Sequence, residues 1–454
     1  MKVKNYYIVI VSAAIALSIF AWLLTNIFET EKPVIKIKAL PEFISSPKRI
    51  FIVVSDKKMG LREIRTELIQ GKKKVLFFKK TFSTQGLLNK KGIHDFRKGV
   101  VLDPIKLGFS DGELILQVYA RDCSKRNKFR GNIAVFKKKV IIDTLPPSIM
   151  PKSRLNYFSI GGSGLIVYEA SKDTVKSGIY LNHIFFSGYP LDAHSRMGRY
   201  YACYIGIPCD LKSSVDLFIW AKDRAGNISV ARFYYRIKPK RFRKRNIIIT
   251  DRFLKRVLPF FSYCKLNPKD PLVKRFLKIN RKLREKNSRF IKGLLTNTSK
   301  KRLWKGAWVS LKNAKCTARF ADHRFYFYKK RLIDQQFHMG LDLASIANAP
   351  VPASNSGRVI YAGRLGIYGL SVIIDHGQGI FSIYGHMSRI DVEKGQDIKK
   401  GETIGVTGQT GLAGGDHLHF SIMVNGIFVN PEEWLDYHWL RNNIIRKLRV
   451  VGGY

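Results

Sequence analysis

The chain opens with a long apolar run and continues with short segments in which apolar and polar residues alternate. Residues 6–28, YYIVIVSAAIALSIFAWLLTNIF, carry no charge. At 1.5 Å per residue, a helix of that length crosses the roughly 30 Å hydrocarbon core of a bilayer. Beyond it, alternating segments bounded by Gly, Pro and Asn predict β-strands joined by turns, and one amphipathic helical pattern interrupts them. The pattern therefore predicts a mainly β protein behind an N-terminal transmembrane helix.

Residues 1–30 are predicted to be an uncleaved transmembrane signal anchor. Lys2 and Lys4 precede the apolar run, as they do in signal sequences, and no small-residue cleavage site follows it. The body of the chain is then expected outside the cytoplasm, and in the periplasm if the host has two membranes. Positive residues beside a span favour the cytoplasmic side, so four lysines beyond the run argue for the opposite orientation. These are Lys32, Lys36, Lys38 and Lys48.

Two successive stretches, residues 31–146 and 147–238, end in the same pattern. Each closes with an alternating strand, an Ala-x-Asp element, a turn, Gly-Asn and another alternating strand. The Ala-x-Asp elements begin at Ala120 and Ala221, and a spacing of about a hundred residues is the size of a small β-sandwich. Both stretches resemble the immunoglobulin-like modules of bacterial surface proteins and are expected to serve as spacers or docking surfaces.

Residues 239–302 are predicted to form a basic helical linker. Apolar residues recur every three or four positions between Leu272 and Leu294, with Lys and Arg between them. Asp270 is the expected N-cap, with Pro271 at the first helical position. The apolar stripe of such a helix packs against a neighbouring domain or lies on a membrane surface, and the pattern leaves both outcomes open.

The charge of the chain is concentrated upstream of its C-terminal part. The formal net charge is +48, yet residues 331–454 hold 11 Lys/Arg and 11 Asp/Glu, so the whole excess lies before residue 331. Residues 236–330 alone hold 31 bases and 4 acids. This distribution predicts an electrostatic tether to anionic envelope polymers or lipid head groups. A nucleic-acid partner is not expected, because no nucleic-acid motif is recognisable and the body is expected outside the cytoplasm.

The C-terminal part is rich in glycine and short alternating strands. Segments such as GRVIYAG, SVIIDHG and FSIYGHM predict an antiparallel β domain over residues 303–440. A basic C-terminal tail is expected at residues 441–454. Seven of the ten histidines fall between His323 and His438, so this domain is where imidazole chemistry is expected.

Three short motifs carry the candidate chemistry: HMGLD, IYGHM and HLHF. In HLHF, His417 and His419 project to the same side of a strand, because strand side chains alternate. Two imidazoles and one carboxylate form a hydrolytic zinc site with one open position for water, whose pKa zinc lowers to about 7. Further histidines could then take the proton and stabilise the oxyanion. HExxH is absent, and no cysteine pair has CxxC spacing.

The sequence from about Asp334 to Asp436 is similar to the lysostaphin-type (LytM-type) zinc endopeptidases that cut peptidoglycan. The similarity includes the motifs HMGLD…YGHM…GGDHLHF and the residues around them. The resemblance implies a lysostaphin-like antiparallel β peptidase domain whose groove holds one Zn²⁺ per chain. The residues that it implies for the metal are His338, Asp342 and His419, and those that it implies for catalysis are His386 and His417.

The leading hypothesis is therefore a membrane-anchored zinc endopeptidase acting on peptidoglycan stems or cross-links. The alternative is a non-catalytic peptidoglycan-binding regulator of another hydrolase on the same fold. Regulators of that type lack some of the five residues, whereas this chain has them all. His376 is expected to be structural, and Gly414 and Gly415 are expected to keep the entry to the HLHF strand low in bulk. The sequence leaves the cleaved bond open.

Overall fold

The structure, a computed structural model, describes residues 2–194, 198–211 and 215–451. It is mainly β and begins with one long helix, α1 (Lys2–Ile27), which confirms the predicted fold class at this level. Within α1, Tyr6–Ile27 is long and apolar enough to cross a membrane, with a mean hydropathy of 2.5. The chain divides into two compact units, one formed by Met1–Pro146 with Arg224–Asn227 and the other by Pro147–Asp223 with Ile228–Tyr454.

The first unit is a two-sheet β-sandwich behind α1. One sheet has the order β1-β3-β6 and the other β2-β8-β7-β4-β5. Alternate residues of β3 (Ile50, Ile52, Val54) face alternate residues of β4 and β7 in a common core, as the period-two pattern predicts. One short turn, α2 (Arg126–Phe129), precedes β8, and its residues Asn127 and Lys128 have left-handed backbone angles. The strands are β1 (Val34–Lys38), β2 (Phe43–Ile44), β3 (Lys48–Ser55), β4 (Leu61–Gln70), β5 (Lys73–Thr81), β6 (Asp95–Leu102), β7 (Gly112–Asp122) and β8 (Ile133–Ile142).

The second unit begins with another two-sheet sandwich. Its sheets have the orders β14-β15-β11-β9 and β13-β12-β16-β17, with β10 and β18 paired in parallel beside them. The immunoglobulin-like character of both sandwiches stays a prediction. The strands are β9 (Ile149–Pro151), β10 (Tyr157–Ser159), β11 (Ser163–Ser171), β12 (Thr174–Leu181), β13 (Ile184–Ser187), β14 (Tyr189–His194), β15 (Gly198–Gly206), β16 (Leu217–Asp223), β17 (Ile228–Ala231) and β18 (Arg236–Lys238).

Strand β11 is buried on both faces, which explains its continuous apolar sequence. Ile166 and Tyr168 belong to the core of the sandwich, whereas Leu165 and Val167 belong to the core of the C-terminal domain. A strand covered on both sides loses the alternation of polar and apolar residues. The second sandwich therefore packs directly on the C-terminal domain.

The C-terminal domain is built on an antiparallel sheet of order β20-β23-β31-β27-β26-β25-β29, with β32 paired to β31. This confirms the predicted antiparallel architecture. Two smaller sheets, β24-β30-β28 and β19-β21-β22, flank it. The strands are β19 (Lys244–Ile249), β20 (Lys315–Ala318), β21 (His323–Tyr328), β22 (Arg331–Phe337), β23 (Leu341–Ala344), β24 (Pro350–Pro352), β25 (Gly357–Arg364), β26 (Leu370–Asp375), β27 (Ile380–Met387), β28 (Arg389–Ile390), β29 (Asp397–Ile398), β30 (Thr403–Val406), β31 (Leu418–Val424) and β32 (Ile427–Val429).

The segment predicted as a basic helical linker is an integral layer of this domain. It contributes β19, which pairs in parallel with β21, and this strand was not predicted. Its helices are α3 (Asp251–Val257), α4 (Leu272–Lys278) and α5 (Arg284–Leu294), and one π turn (Ile279–Leu283) joins α4 to α5. Phe276, Ile279 and Ile291 are at most 1% exposed and share a core with the sheet. The apolar stripe therefore packs on the neighbouring domain and leaves the lysines of the opposite face in solvent.

The predicted N-cap of this helix is wrong. The cap position is Pro271, without a side-chain hydrogen bond, and α4 begins at Leu272. Asp270 forms ion pairs with Lys274 at 2.9 Å and Lys278 at 2.8 Å instead. Its carboxylate therefore interacts with side chains of the first two turns rather than with free backbone N–H groups.

The segment predicted as a basic tail is helical and partly buried. After α6 (Pro431–Leu435), the chain continues through α7 (Tyr437–Leu440), a π turn (Arg441–Ile445) and α8 (Arg446–Arg449). Ile444 and Leu448 are at most 1% exposed and lie in the same core as Leu165. The tail prediction missed this packing because the basic residues between the apolar positions dominate the composition. Residues 452–454 of the predicted tail lie outside the described residues.

Candidate metal centre

The register of neighbouring strands gathers the residues predicted for the site. Asp342 on β23 pairs directly with His419 on β31, and His419 pairs with Gly385 on β27. His386 directly follows Gly385, the residue that pairs with His419. His338 in the turn before β23 and His417 just before β31 complete the set. All five predicted residues line one cavity of about 230 Å³.

Three donor atoms form a compact triangle. His338 Nε2 lies 2.9 Å from Asp342 Oδ1 and 3.0 Å from His419 Nδ1, and His419 Nδ1 lies 3.0 Å from Asp342 Oδ1. The three residues are between 4% and 8% exposed. In a tetrahedral zinc site with metal–ligand distances of about 2.0–2.1 Å, donor atoms lie roughly 3.3 Å apart. The triangle therefore fits a small tetrahedral metal ion with one ligand position open toward the cavity.

The remaining polar atom of each candidate ligand is held by the protein. His338 Nδ1 donates to Arg319 O at 2.9 Å, which leaves Nε2 as the nitrogen with a free lone pair. Ser421 Oγ donates to Met339 O at 2.7 Å and lies 2.9 Å from His419 Nε2, so it accepts from that ring and leaves Nδ1 free. Such outer contacts fix the tautomer and orientation of metal ligands.

Asp342 is held by a guanidinium that the sequence did not reveal as part of the site. Arg324 on β21 donates from Nη2 to Asp342 Oδ2 at 2.7 Å, and its side chain is 22% exposed. This bond occupies one carboxylate oxygen and leaves Oδ1 in the donor triangle. Arg324 carried no signal in the sequence because it is one of the 31 bases of the surrounding basic region.

The two other histidines present free ring nitrogens to the same cavity. His417 Nδ1 bonds to Gly415 O at 2.8 Å, and its Nε2 lies 3.6 Å from Asp342 Oδ1. His386 Nδ1 bonds to Thr410 O at 2.8 Å. In both rings the carbonyl fixes the proton on Nδ1, so Nε2 keeps a lone pair for a substrate or water. The ring centroids lie 4.8 Å apart.

The pKa values of the cluster follow from burial and from the one carboxylate. Burial lowers the pKa of His419 to about 4, so this ring is neutral, as a metal ligand must be. Burial alone would raise the pKa of Asp342, but the surrounding imidazoles, above all His338, hold it well below its ordinary range. Burial and repulsion from neighbouring imidazoles hold the pKa of His386 well below its ordinary value. For His417, burial lowers the pKa, but the nearby negative charge of Asp342 outweighs burial, and the pKa is raised.

The upstream basic segment forms one wall of the cavity. The wall side chains come from β19 and from the helices that follow it: Ile247, Ile249, Phe253, Phe276 and Arg284. Asn287 on α5 accepts a hydrogen bond at 3.0 Å from Ile367 N, in the turn beside the site. Arg256 donates to Gly414 O at 2.6 Å. These contacts close the side of the cavity that the sheet leaves open.

Four residues outside the predicted set of five were also compared with the structure: His376, Gly414, Gly415 and Asp416. His376 lies outside the cavity, is fully buried, and bonds to Ser356 O and Ser382 Oγ. A Cβ at Gly414 or Gly415 would meet nothing within 4 Å, so steric crowding does not require these glycines. The neighbouring Asp416 accepts a hydrogen bond through Oδ2 from Asn348 N at 3.3 Å.

Comparison with known proteins places this site in a family. Residues 336–431 match peptidase family M23. The chain is 40% identical over 96 residues to the DD-carboxypeptidase/endopeptidase Mpg of Neisseria meningitidis serogroup B, over 21% of this chain and 22% of that protein. It is 39% identical over 93 residues to the peptidoglycan DD-endopeptidase ShyA of Vibrio cholerae serotype O1, over 20% and 22% of the two lengths.

A third relative is the murein hydrolase activator EnvC of Escherichia coli K12, which is 34% identical over 108 residues, or 24% of this chain and 26% of EnvC. The chain thus spans only about a fifth to a quarter of the length of these curated relatives. The matched segment contains all five predicted site residues, and the predicted resemblance is confirmed. The C-terminal part of this chain carries a domain of peptidase family M23, of the lysostaphin (LytM) type.

Proposed function

We propose that this chain is a membrane-anchored zinc endopeptidase that hydrolyses peptide bonds in the stems or cross-links of peptidoglycan. The observation that carries the proposal is the donor triangle of His338, Asp342 and His419, with the free Nε2 atoms of two more histidines in the same cavity. The donor set of two imidazoles and one carboxylate, each held by an outer contact, fits zinc.

Zinc bound at this triangle would lower the pKa of a bound water and polarise the scissile carbonyl. His417 Nε2 and His386 Nε2 are the protein atoms placed to take the proton of the attacking water. The protonated ring then donates to the tetrahedral oxyanion, and the proton passes to the leaving amine as the C–N bond breaks. Asp342 remains ionised throughout, since Arg324 and the imidazoles stabilise its charge.

Access to the site requires movement of the basic segment. Cavities that hold drug-sized ligands measure about 300–1,000 Å³, whereas this one measures about 230 Å³ and is closed on one side by β19, α3 and α4. A peptide cross-link extends beyond the scissile bond in both directions. The closed wall therefore belongs to a resting arrangement, and hydrolysis takes place when the segment moves away.

Helix α1 and the basic segment would hold the enzyme close to peptidoglycan. Helix α1 anchors it in the membrane with the body extracytoplasmic, in the periplasm where two membranes are present. The exposed lysines and arginines of the basic segment attract anionic envelope polymers or lipid head groups. An alkaline-phosphatase fusion after residue 60 tests the orientation, and an inactive fusion contradicts it.

Zinc content and cell-wall cleavage by the solubilised full-length protein test the function. The wild type is expected to carry one zinc per chain and to release soluble fragments from purified peptidoglycan. His419→Ala should lose the zinc, whereas His417→Ala should keep it and lose turnover. His438→Ala serves as the matched control, because His438 is exposed and lies outside the cavity.

The second candidate is a non-catalytic regulator of another wall hydrolase, which the similarity to the activator EnvC favours. The presence of both candidate catalytic histidines in one cavity favours hydrolysis. If the zinc-loaded wild type leaves every peptidoglycan type intact but accelerates a purified wall hydrolase, the regulator is the better description. If both His419→Ala and His417→Ala retain full zinc, the ligand assignment is wrong.

A further inference from the structure

A second cluster of candidate ligands lies in the first unit, where α1 ends. Glu29 follows the helix by two residues, Asp56 follows β3, and Asp122 is the last residue of β7. One carboxylate oxygen from each lies within 4.8 Å of the others. The three residues are 2%, 5% and 0% exposed, so none of the carboxylates is hydrated like a surface group.

Part of the cluster belongs to the pattern of Ala-x-Asp followed by Gly-Asn that occurs twice in the chain. Asp122 is the aspartate of the first Ala-x-Asp element, and Asn132 is the asparagine of the Gly-Asn that follows it. Asn132 Nδ2 donates to Asp122 Oδ2 at 2.8 Å and to Glu29 O at 3.0 Å. Asp122 Oδ1 accepts from the backbone N–H groups of Ser124 at 3.0 Å and Asn132 at 2.7 Å.

The other two carboxylates are oriented in a similar way. Asp56 Oδ1 accepts from Gly60 N at 2.7 Å, and Glu29 Oε1 accepts from Met59 N at 2.8 Å. Oε2 of Glu29 has no hydrogen-bond partner among the described residues, although the side chain is almost completely buried beside the other two carboxylates. A buried carboxylate oxygen without a partner is unfavourable, so this atom indicates a missing ligand.

Lys58 and His94 lie close enough to favour the ionised forms of Glu29 and Asp56, but burial outweighs both. In the part of the chain that the structure describes, no lysine or arginine forms an ion pair with Glu29, Asp56 or Asp122, and the nearby Lys58 pairs with Glu31 at 3.2 Å. Burial raises the pKa of Glu29 to about 7, and burial also raises the pKa values of Asp56 and Asp122. Three buried carboxylates this close repel one another when ionised, and a bound cation removes that repulsion.

We propose that Glu29, Asp56 and Asp122 form a calcium site. The donor set consists of oxygen atoms, which hard cations prefer, and the carboxylates come from three separate segments of the chain. Ca²⁺ accepts irregular arrangements of protein oxygens, whereas Mg²⁺ demands near-octahedral geometry and usually retains several waters. The cluster therefore favours Ca²⁺ over Mg²⁺.

Calcium bound at this site would hold the C-terminal end of α1 against the first sandwich. Lys125 N donates to Ile27 O at 2.9 Å, and Ser124 Oγ lies 3.3 Å from both Ile27 O and Glu29 O. The loop after β7 thus already holds the end of α1. A calcium ion bridging Glu29 to Asp56 and Asp122 adds a charged link to these hydrogen bonds, so it should stabilise this junction.

Calcium binding by the full-length, zinc-loaded protein in detergent tests the proposal. At about 1 mM Ca²⁺, in the range where extracellular modules bind this ion, the wild type should bind one ⁴⁵Ca²⁺ per chain and unfold at a higher temperature. Glu29→Gln and Asp122→Asn should lose both effects. Without calcium, Glu29→Gln should unfold at or above the wild-type temperature, because the neutral amide removes repulsion, and this keeps the test independent of a folding defect.

Two controls separate this site from its surroundings. Glu31→Gln removes a partly exposed neighbouring carboxylate and should leave calcium binding unchanged. His419→Ala should also bind calcium normally, so failure of the peptidase proposal would not affect this result. The proposal is overturned if the wild type binds no calcium, if Glu29→Gln binds it as the wild type does, or if Mg²⁺ at the same concentration raises the unfolding temperature equally.

Discussion

The most informative perturbation of the resting arrangement is Asn287→Ala. Asn287 is 7% exposed on α5, and its Oδ1 accepts from Ile367 N at 3.0 Å, beside the site. Alanine removes the acceptor and leaves a buried N–H group unpaired for as long as α5 stays in place. When the segment moves away, water satisfies the same N–H group, so the penalty falls on the closed arrangement alone.

The size of the effect follows from that one group. Leaving a buried donor unsatisfied costs about 1–3 kcal/mol, which corresponds to a shift of about 5–150-fold in the equilibrium between the two arrangements. If the closed arrangement dominates, Asn287→Ala should raise the rate of peptidoglycan hydrolysis by a factor in that range. Zinc content should not change, because the donor triangle is untouched.

The assay is release of soluble fragments from purified peptidoglycan, with zinc measured on the same samples. Asn297→Ala is the matched control, since Asn297 is an exposed asparagine in the same segment. Unfolding curves recorded alongside establish that the variants are folded at the assay temperature. Unchanged or lower activity of a folded, zinc-loaded Asn287→Ala would refute the reasoning that the basic segment restricts access.

Further predictions concern the ligand support, a buried acid and the C-terminal helix. Ser421→Ala removes the acceptor that orients His419, so zinc affinity should fall about 10–100-fold in competition titrations with a chelator, and unchanged affinity would contradict this role. Burial raises the pKa of Glu433 from 4.5 to about 7; its contribution to stability is therefore full below pH 4.5 and is lost as the pH rises through 7. Glu433→Gln should flatten this part of the pH profile of the unfolding free energy measured with denaturant, and an unaltered profile would disprove the assignment. Leu448→Ala should lower the free energy of unfolding by about 2–5 kcal/mol, and a loss below 1 kcal/mol would show that the terminal helix is not part of the core.

The five residues predicted for the candidate site lie in one cavity, and the sequence could bring them together because their signal is local. Each motif places residues at fixed positions on one strand or turn, so alternation alone puts His417 and His419 on the same side. The family resemblance then joined the motifs, and the strand register that pairs Asp342 with His419 agrees with it. A contact between separate strands has no such signal, so the contact of Arg324 with Asp342 emerged only from the structure. Ser421 follows His419 by two positions on the same strand, so alternation already places it on the same side.

The sequence was less informative where composition dominates over pattern. The excess of lysine and arginine suggested a linker at residues 239–302 and a tail at residues 441–454, although both contain buried apolar positions. Long basic side chains keep their charge in solvent while neighbouring residues pack, so a high net charge does not exclude an integral helix. Strand β19 was missed for the same reason, since KRNIII follows a run of bases.

The central claim is tested most directly by mass spectrometry of a purified, cross-linked muropeptide dimer incubated with the zinc-loaded full-length protein. The account predicts conversion of the dimer into shorter peptides by addition of one water at a single peptide bond, and no conversion by His417→Ala at equal zinc content. An intact dimer with the wild type, under conditions in which the protein accelerates a separate wall hydrolase, would contradict it.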